Sequence, residues 1–113
     1  MRWALLLALV ITSGCQDNDV SRSVGARCEM SSECDERCLG PSGSFPDGFC
    51  TVSCDNSDDC NGSDLACVDQ DGGACLFRCV TDGDCTFIGP DWGCKAFSER
   101  GNGDVQVSVC AGK

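Results

Sequence analysis

The chain has 113 residues, thirteen of them cysteine, with no histidine, no tyrosine and a formal charge of −10. Cysteine at this density marks a disulfide scaffold, provided the chain is exported to an oxidising compartment. Without histidine there is no Ser–His–Asp or Cys–His centre and no ordinary general base near neutral pH. An acidic surface of this size repels nucleic acid and anionic headgroups, so no nucleic-acid partner is expected.

The chain opens with Met1-Arg2, a minimal basic start, followed by an apolar run from Trp3 to Ile11 and the small residues Thr12-Ser13-Gly14. As a helix that run rises only about 14 Å, roughly half of a bilayer core, so it reads as a cleaved leader and not a membrane span. Residues 1–14 are therefore taken as a signal peptide. Thr12-Ser13-Gly14-Cys15 resembles the lipobox of bacterial lipoproteins, with Thr12 standing where that family prefers leucine. The resemblance implies that Cys15 carries a diacylglyceryl group and becomes the mature N-terminus, anchoring the chain to a membrane. Gln16 rather than Asp follows Cys15, and by the enterobacterial sorting rule this permits transport to the outer membrane. Cysteine parity points the same way. An odd cysteine in an exported chain needs a reason, and giving Cys15 to lipid leaves twelve that can pair. Removing Arg2 with the leader leaves seven basic and eighteen acidic side chains, a net of −11.

Residues 15–27 are polar apart from two valines and read as the lipidated end and a flexible tether. From Cys28 the cysteines repeat. Residues 28–50 hold Cys28, Cys34, Cys38 and Cys50; residues 54–75 hold Cys54, Cys60, Cys67 and Cys75; residues 79–110 hold Cys79, Cys85, Cys94 and Cys110. Every unit begins C-x5-C and hands over to the next by C-x3-C, and an acid (Glu33, Asp59 or Asp84) always precedes the second cysteine. Such coincidence of spacing and chemistry is internal triplication.

The later half of each unit carries turn residues: Gly40-Pro41-Ser42-Gly43, Asp71-Gly72-Gly73 and Gly101-Asn102-Gly103. Phe49–Val52, Ala74–Phe77 and the alternating Val105–Val109 read as short closing strands. Helix signals are poor after Ile11. The expected fold is small and disulfide-rich: tandem four-cysteine modules with short β-hairpins, strung end to end, with little helix after the signal peptide. Large apolar residues are few (Leu39, Phe45, Phe49, Leu65, Leu76, Phe77, Phe87, Ile88, Trp92 and Phe97), and units this short need covalent bridges in place of a core. Four cysteines allow three pairings, and spacing does not choose among them; first with third and second with fourth is taken as the expectation.

The pattern C-x5-C…G-x-C-x3-C after a lipoprotein leader resembles the cysteine-rich repeat lipoproteins of myxobacteria-like species, over nearly the whole chain from Cys15 to Cys110. That resemblance implies a scaffold and brings no substrate.

Among chemical candidates, catalytic residues are assigned to none, since eighteen acids on a small exported chain read as a solvated surface. No cofactor is expected. Thiolate metal binding is not assigned either, because no C-x2-C knuckle occurs and export favours oxidation. Asp69-Gln70-Asp71-Gly72 and Asp82-Gly83-Asp84 look like fragments of calcium loops, yet Val80 stands where an EF-hand loop beginning at Asp69 would need its bidentate glutamate. The expected function is a membrane-anchored, surface or periplasmic lipoprotein of the cell envelope with a non-enzymatic structural or protein-binding role. The alternatives are a disulfide-rich inhibitor of an extracellular enzyme, acting through Gly40–Gly48 or Phe87–Trp92, and a weak calcium-binding module.

Overall fold

Each of the three cysteine units builds one 3₁₀ turn and one antiparallel hairpin in the computed structural model, which describes residues 20–113. The leader read over residues 1–14, the lipidation candidate Cys15 and tether residues 16–19 lie outside the described residues. In the first unit the turn Ser31–Glu33 precedes β1 (Arg37–Leu39) and β2 (Phe49–Thr51). The second unit has Ser57–Asp59, β3 (Leu65–Val68) and β4 (Ala74–Phe77). In the third, Asp82–Cys85 precedes the longer β5 (Trp92–Ser98) and β6 (Gln106–Gly112). The closing strands read from the sequence are β2, β4 and β6, and the turn clusters fall in the three hairpin loops.

Strand register places the third cysteine of each unit opposite the fourth: Cys38 faces Cys50, Cys67 faces Cys75 and Cys94 faces Cys110. These facing pairs are not bonded to each other. The bridges run from first to third and from second to fourth in every unit: Cys28–Cys38 and Cys34–Cys50, Cys54–Cys67 and Cys60–Cys75, Cys79–Cys94 and Cys85–Cys110. The hairpin thus presents two neighbouring sulfurs, and the two cysteines of the C-x5-C segment reach down to them. The glycine of the G-x-C motif has a steric reason. A β-carbon on Gly48 would lie 1.8 Å from the Cys28 carbonyl oxygen, and one on Gly73 would lie 2.1 Å from that of Cys54, both at positive φ.

The modules are not strung end to end. They share one core, in which Leu39, Phe45 and Phe49 of the first unit meet Leu65, Val68, Leu76 and Phe77 of the second and Ile88, Trp92 and Val109 of the third. Phe49 lies at its centre, with ring centroids 5.3 Å from Trp92, 6.1 Å from Phe77 and 6.3 Å from Phe45. The correction follows from size: a unit with three or four large apolar side chains cannot shield them alone, whereas three units can cover one another's. The handover length enforces this. Two of the three residues between Cys75 and Cys79, Leu76 and Phe77, are buried, as is Thr51 just after Cys50, so no slack joins one unit to the next.

Backbone ties lock the arrangement. The Gly112 N–H donates to Ser44 O at 2.7 Å, joining the end of β6 to the β1–β2 loop, while Asp69 N donates to Ser98 O and Arg100 N to Cys67 O, each at 2.9 Å. Arg37 of β1 donates through its guanidinium to Asp71 O at 3.1 Å and to Gly73 O at 2.5 Å, pinning the β3–β4 turn.

The segment read as a tether is also corrected from residue 21 onward. The Gly25 N–H donates to Cys50 O, and Cys50 N donates to Ala26 O, both at 2.8 Å; Asp35 N donates to Arg22 O at 2.9 Å. Val24 is buried. Polar composition suggested freedom, but one buried valine and an available edge of β2 dock the segment.

Thr51 is the one buried polar side chain among the described residues, and its hydroxyl joins two units: it donates to Cys75 O at 2.8 Å and accepts from Cys75 N at 2.9 Å. Replacing it with the isosteric valine leaves both Cys75 groups without that partner inside the core. Thr51→Val is expected to cost about 1–3 kcal/mol, read as a lowered urea midpoint for the oxidised protein; an unchanged midpoint would contradict the role given to the hydroxyl.

Candidate functional site

The repeated acid before each second cysteine has the same task in all three units. Glu33 Oε1 accepts the N–H groups of Glu29 at 2.6 Å and Met30 at 3.4 Å. Asp59 Oδ2 accepts those of Asp55 at 2.8 Å and Asn56 at 3.3 Å. Asp84 Oδ2 accepts those of Val80 at 2.8 Å and Thr81 at 2.9 Å. The carboxylate reaches back over the turn and satisfies donors that a helical start leaves unpaired, as in a capping box. The N–H groups of Thr81 and then Val80 hold the Asp84 carboxyl below its ordinary range.

A second repeated oxygen was not singled out in the sequence. The residue three places after each first cysteine accepts a hydrogen bond from the third cysteine's N–H. Ser31 Oγ accepts from Cys38 at 3.2 Å, Ser57 Oγ from Cys67 at 3.0 Å, and Asp82 Oδ1 from Cys94 at 2.7 Å. The signal was present, since Ser31, Ser57 and Asp82 occupy matching positions. It was hidden by the change from hydroxyl to carboxylate.

These bonds engage residues of both calcium candidates. Asp82 and Asp84 are committed to backbone donors, and Asp69 Oδ1 accepts from Arg100 Nη1 at 2.9 Å. Asp71, with φ of 50°, forms the β3–β4 turn beside Gly72. Among the described residues, the groups of three potential ligand side chains converging within 4.8 Å are all cysteines: Cys28, Cys34 and Cys38; Cys54, Cys60 and Cys75; and Cys79, Cys85 and Cys110. Every one of those sulfurs is already bonded in a disulfide. Asp82 and Asp84 thus take part in capping and Asp71 in a turn.

The two loops considered for recognition differ. In Phe87–Trp92, Ile88 and Trp92 are buried, and the Trp92 ring packs against Phe45 and Phe49. Phe87 alone of its large apolar residues stays exposed, standing edge-on to Phe77 at 5.0 Å. In Gly40–Gly48, residues 40–44 are exposed and Phe45 is buried as an anchor. Ser42 N donates to Phe45 O at 3.2 Å and Gly48 N to Phe45 O at 2.9 Å, giving an exposed loop held at its base.

Where the second and third units meet, Glu99 accepts from the Ser57 hydroxyl at 2.6 Å and from Asn102 Nδ2 at 3.0 Å, with Arg78 Nη2 at 3.8 Å. The Ser57 hydroxyl first, then Asn102 and Arg78, hold the Glu99 carboxyl below its ordinary range. This cluster couples the second and third units.

No protein-family model, curated protein or solved structure matches the chain.

Two outcomes follow. A carboxyl whose folded pKa is depressed contributes stability above its unfolded pKa, and that contribution is lost as pH falls through the folded value. Glu99→Gln is therefore expected to unfold at lower urea than the parent at neutral pH, with the gap closing as pH falls below about 4; a gap that stays constant on acidification would contradict the assignment. Chelation with EDTA is expected to leave the thermal midpoint unchanged, and an increase on adding calcium would contradict the capping role of Asp82 and Asp84.

Proposed function

We propose that the chain is an exported lipoprotein, held to the bacterial cell envelope through lipid on Cys15, where it displays a disulfide-stapled fold in a non-enzymatic structural or protein-binding role. Disulfides in this number are compatible with an exported, non-cytoplasmic protein. The observation that carries the reading is the allocation of sulfur. Six bridges take the twelve cysteines from Cys28 to Cys110, and the thirteenth is Cys15, directly after the small residues of the lipobox-like segment. Parity and leader are independent arguments for the same residue. The non-enzymatic role is supported by the lack of histidine and by the use of Glu33, Asp59, Asp82, Asp84 and Glu99 in holding turns together. Gln16 after the lipid cysteine favours the outer membrane.

A second reading, a disulfide-rich inhibitor of an extracellular enzyme, is favoured by one observation: the exposed Gly40–Ser44 segment, closed by hydrogen bonds and anchored by Phe45. Rigid exposed loops on small scaffolds bind with little ordering cost. Inhibition lost on changing Ser42 and Gly43 together, with the fold intact, separates that reading from display.

Native protein extracted from membranes with detergent is expected to give an N-terminal peptide starting at Cys15 and carrying diacylglycerol, and Cys15→Ala is expected to move the protein into the soluble fraction. A mature N-terminal peptide without fatty acid would contradict the anchor.

A further inference from the structure

This inference rests on the lipid anchor proposed above. With residues 21–27 docked on β2, the link between Cys15 and the folded part shrinks to residues 16–19. Five Cα steps from Cys15 to Val20 span at most about 18 Å when fully extended. An acylated Cys15 would hold the place where the chain enters the fold close to the lipid surface, whatever the link's conformation.

That place carries exposed apolar side chains. Val20 is 45% exposed and Phe87 39% exposed, two of the few large apolar side chains that face water. Both flank Phe77. A β-carbon built on Gly25 would lie 2.9 Å from Val20 Cγ1 and 2.9 Å from Phe77 Cε2, and the Phe87 ring stands edge-on to Phe77 at 5.0 Å. Beside them runs a groove of about 300 Å³ lined by Val24, Val52, Leu65 and Phe77, with Asp64 the one acid on its walls. Charge is also distinct here. Residues 20–27 contain Arg22 and Arg27 and no acid, in a mature chain with eighteen acids against seven bases. Arg22 is paired with Asp35 at 3.8 Å but remains largely exposed.

We infer that the Val20–Phe77–Phe87 face lies against the phospholipid surface when the protein is anchored, so that the fold sits on the membrane in one orientation instead of swinging on a tether. The apolar side chains reach the headgroup boundary, where burial of apolar area adds to the anchor's hold. The net acidity of the chain disfavours anionic lipid, so the surface that fits is zwitterionic.

The test uses the full lipidated protein reconstituted into phosphatidylcholine vesicles with bromine on the acyl chains. Trp92 is 2% exposed and serves as a constant background; Trp3 lies in the leader. Tryptophan is introduced by Phe87→Trp, by Val20→Trp, or by Val105→Trp at the β5–β6 turn as a reference. Emission from the introduced tryptophan is expected to be quenched at least about twofold more at positions 87 and 20 than at 105, as for a side chain at the headgroup boundary. Equal quenching at the three positions, or none at any, overturns the orientation. If Val20→Trp does not fold, Phe87→Trp, a change at a partly exposed aromatic, carries the test alone. The N-terminal peptide of the same preparation is weighed alongside: absent fatty acid defeats the anchor itself, while fatty acid with equal quenching defeats only the orientation.

Discussion

In each unit the third and fourth cysteines stand opposite one another on a hairpin, and their sulfurs reach back to the two cysteines of the C-x5-C segment. This pair of bridges is the constraint on which the other contacts depend. Strands of three or four residues do not make a stable hairpin in water, and the 3₁₀ turns are too short to persist alone. Loops closed between residues 10 to 25 apart in sequence are each stabilised by about 2–4 kcal/mol, mostly through the unfolded chain in the usual model. With turn and hairpin covalently joined, the weaker interactions become local. The capping acid needs to satisfy only two neighbouring N–H groups, and Ser31, Ser57 or Asp82 only one more on the third cysteine.

The second level of organisation is shared burial. Handover segments of three residues leave little freedom between units, and their first residues are buried: Thr51 and Leu76 immediately follow a fourth cysteine, and Ala111 holds the equivalent place in the third unit. Thr51 then supplies a hydroxyl to the backbone of Cys75, and Phe49 touches aromatic rings from both other units. The covalent bridges act within units and the core acts between them. Neither is sufficient, because the apolar side chains of one unit are too few to shield one another.

Much of this was legible in the residues. Spacing gave three units, Gly and Asp clusters gave the hairpin loops, and the alternation of Val105, Val107 and Val109 gave β6. The acid before the second cysteine was visible as a repeat, although its task became clear only when the backbone showed which N–H groups it faces. Two features were not legible. The docking of residues 21–27 depends on a single buried valine and on backbone groups of Ala26 and Cys50, which leave no periodicity. The collapse of the units onto one core depends on which faces meet, and a list of cysteine spacings is silent about that. Ile88 and Trp92 illustrate the difficulty: the sequence offers them to a core or to a recognition loop and favours the core, and in the fold Trp92 packs against Phe49 while, of that loop's large apolar residues, only Phe87 remains on the surface.

The carboxylates of Glu33, Asp59 and Asp84 hold the three turns in shape. The sulfur allocation underlies both this fold and the anchor proposed for Cys15. The most direct measurement is disulfide mapping of the unreduced protein by proteolysis and mass spectrometry. The account predicts peptides joined as Cys28–Cys38, Cys34–Cys50, Cys54–Cys67, Cys60–Cys75, Cys79–Cys94 and Cys85–Cys110. Peptides joining the facing cysteines of a hairpin, such as Cys67 with Cys75, or free thiols after Cys28, would contradict it.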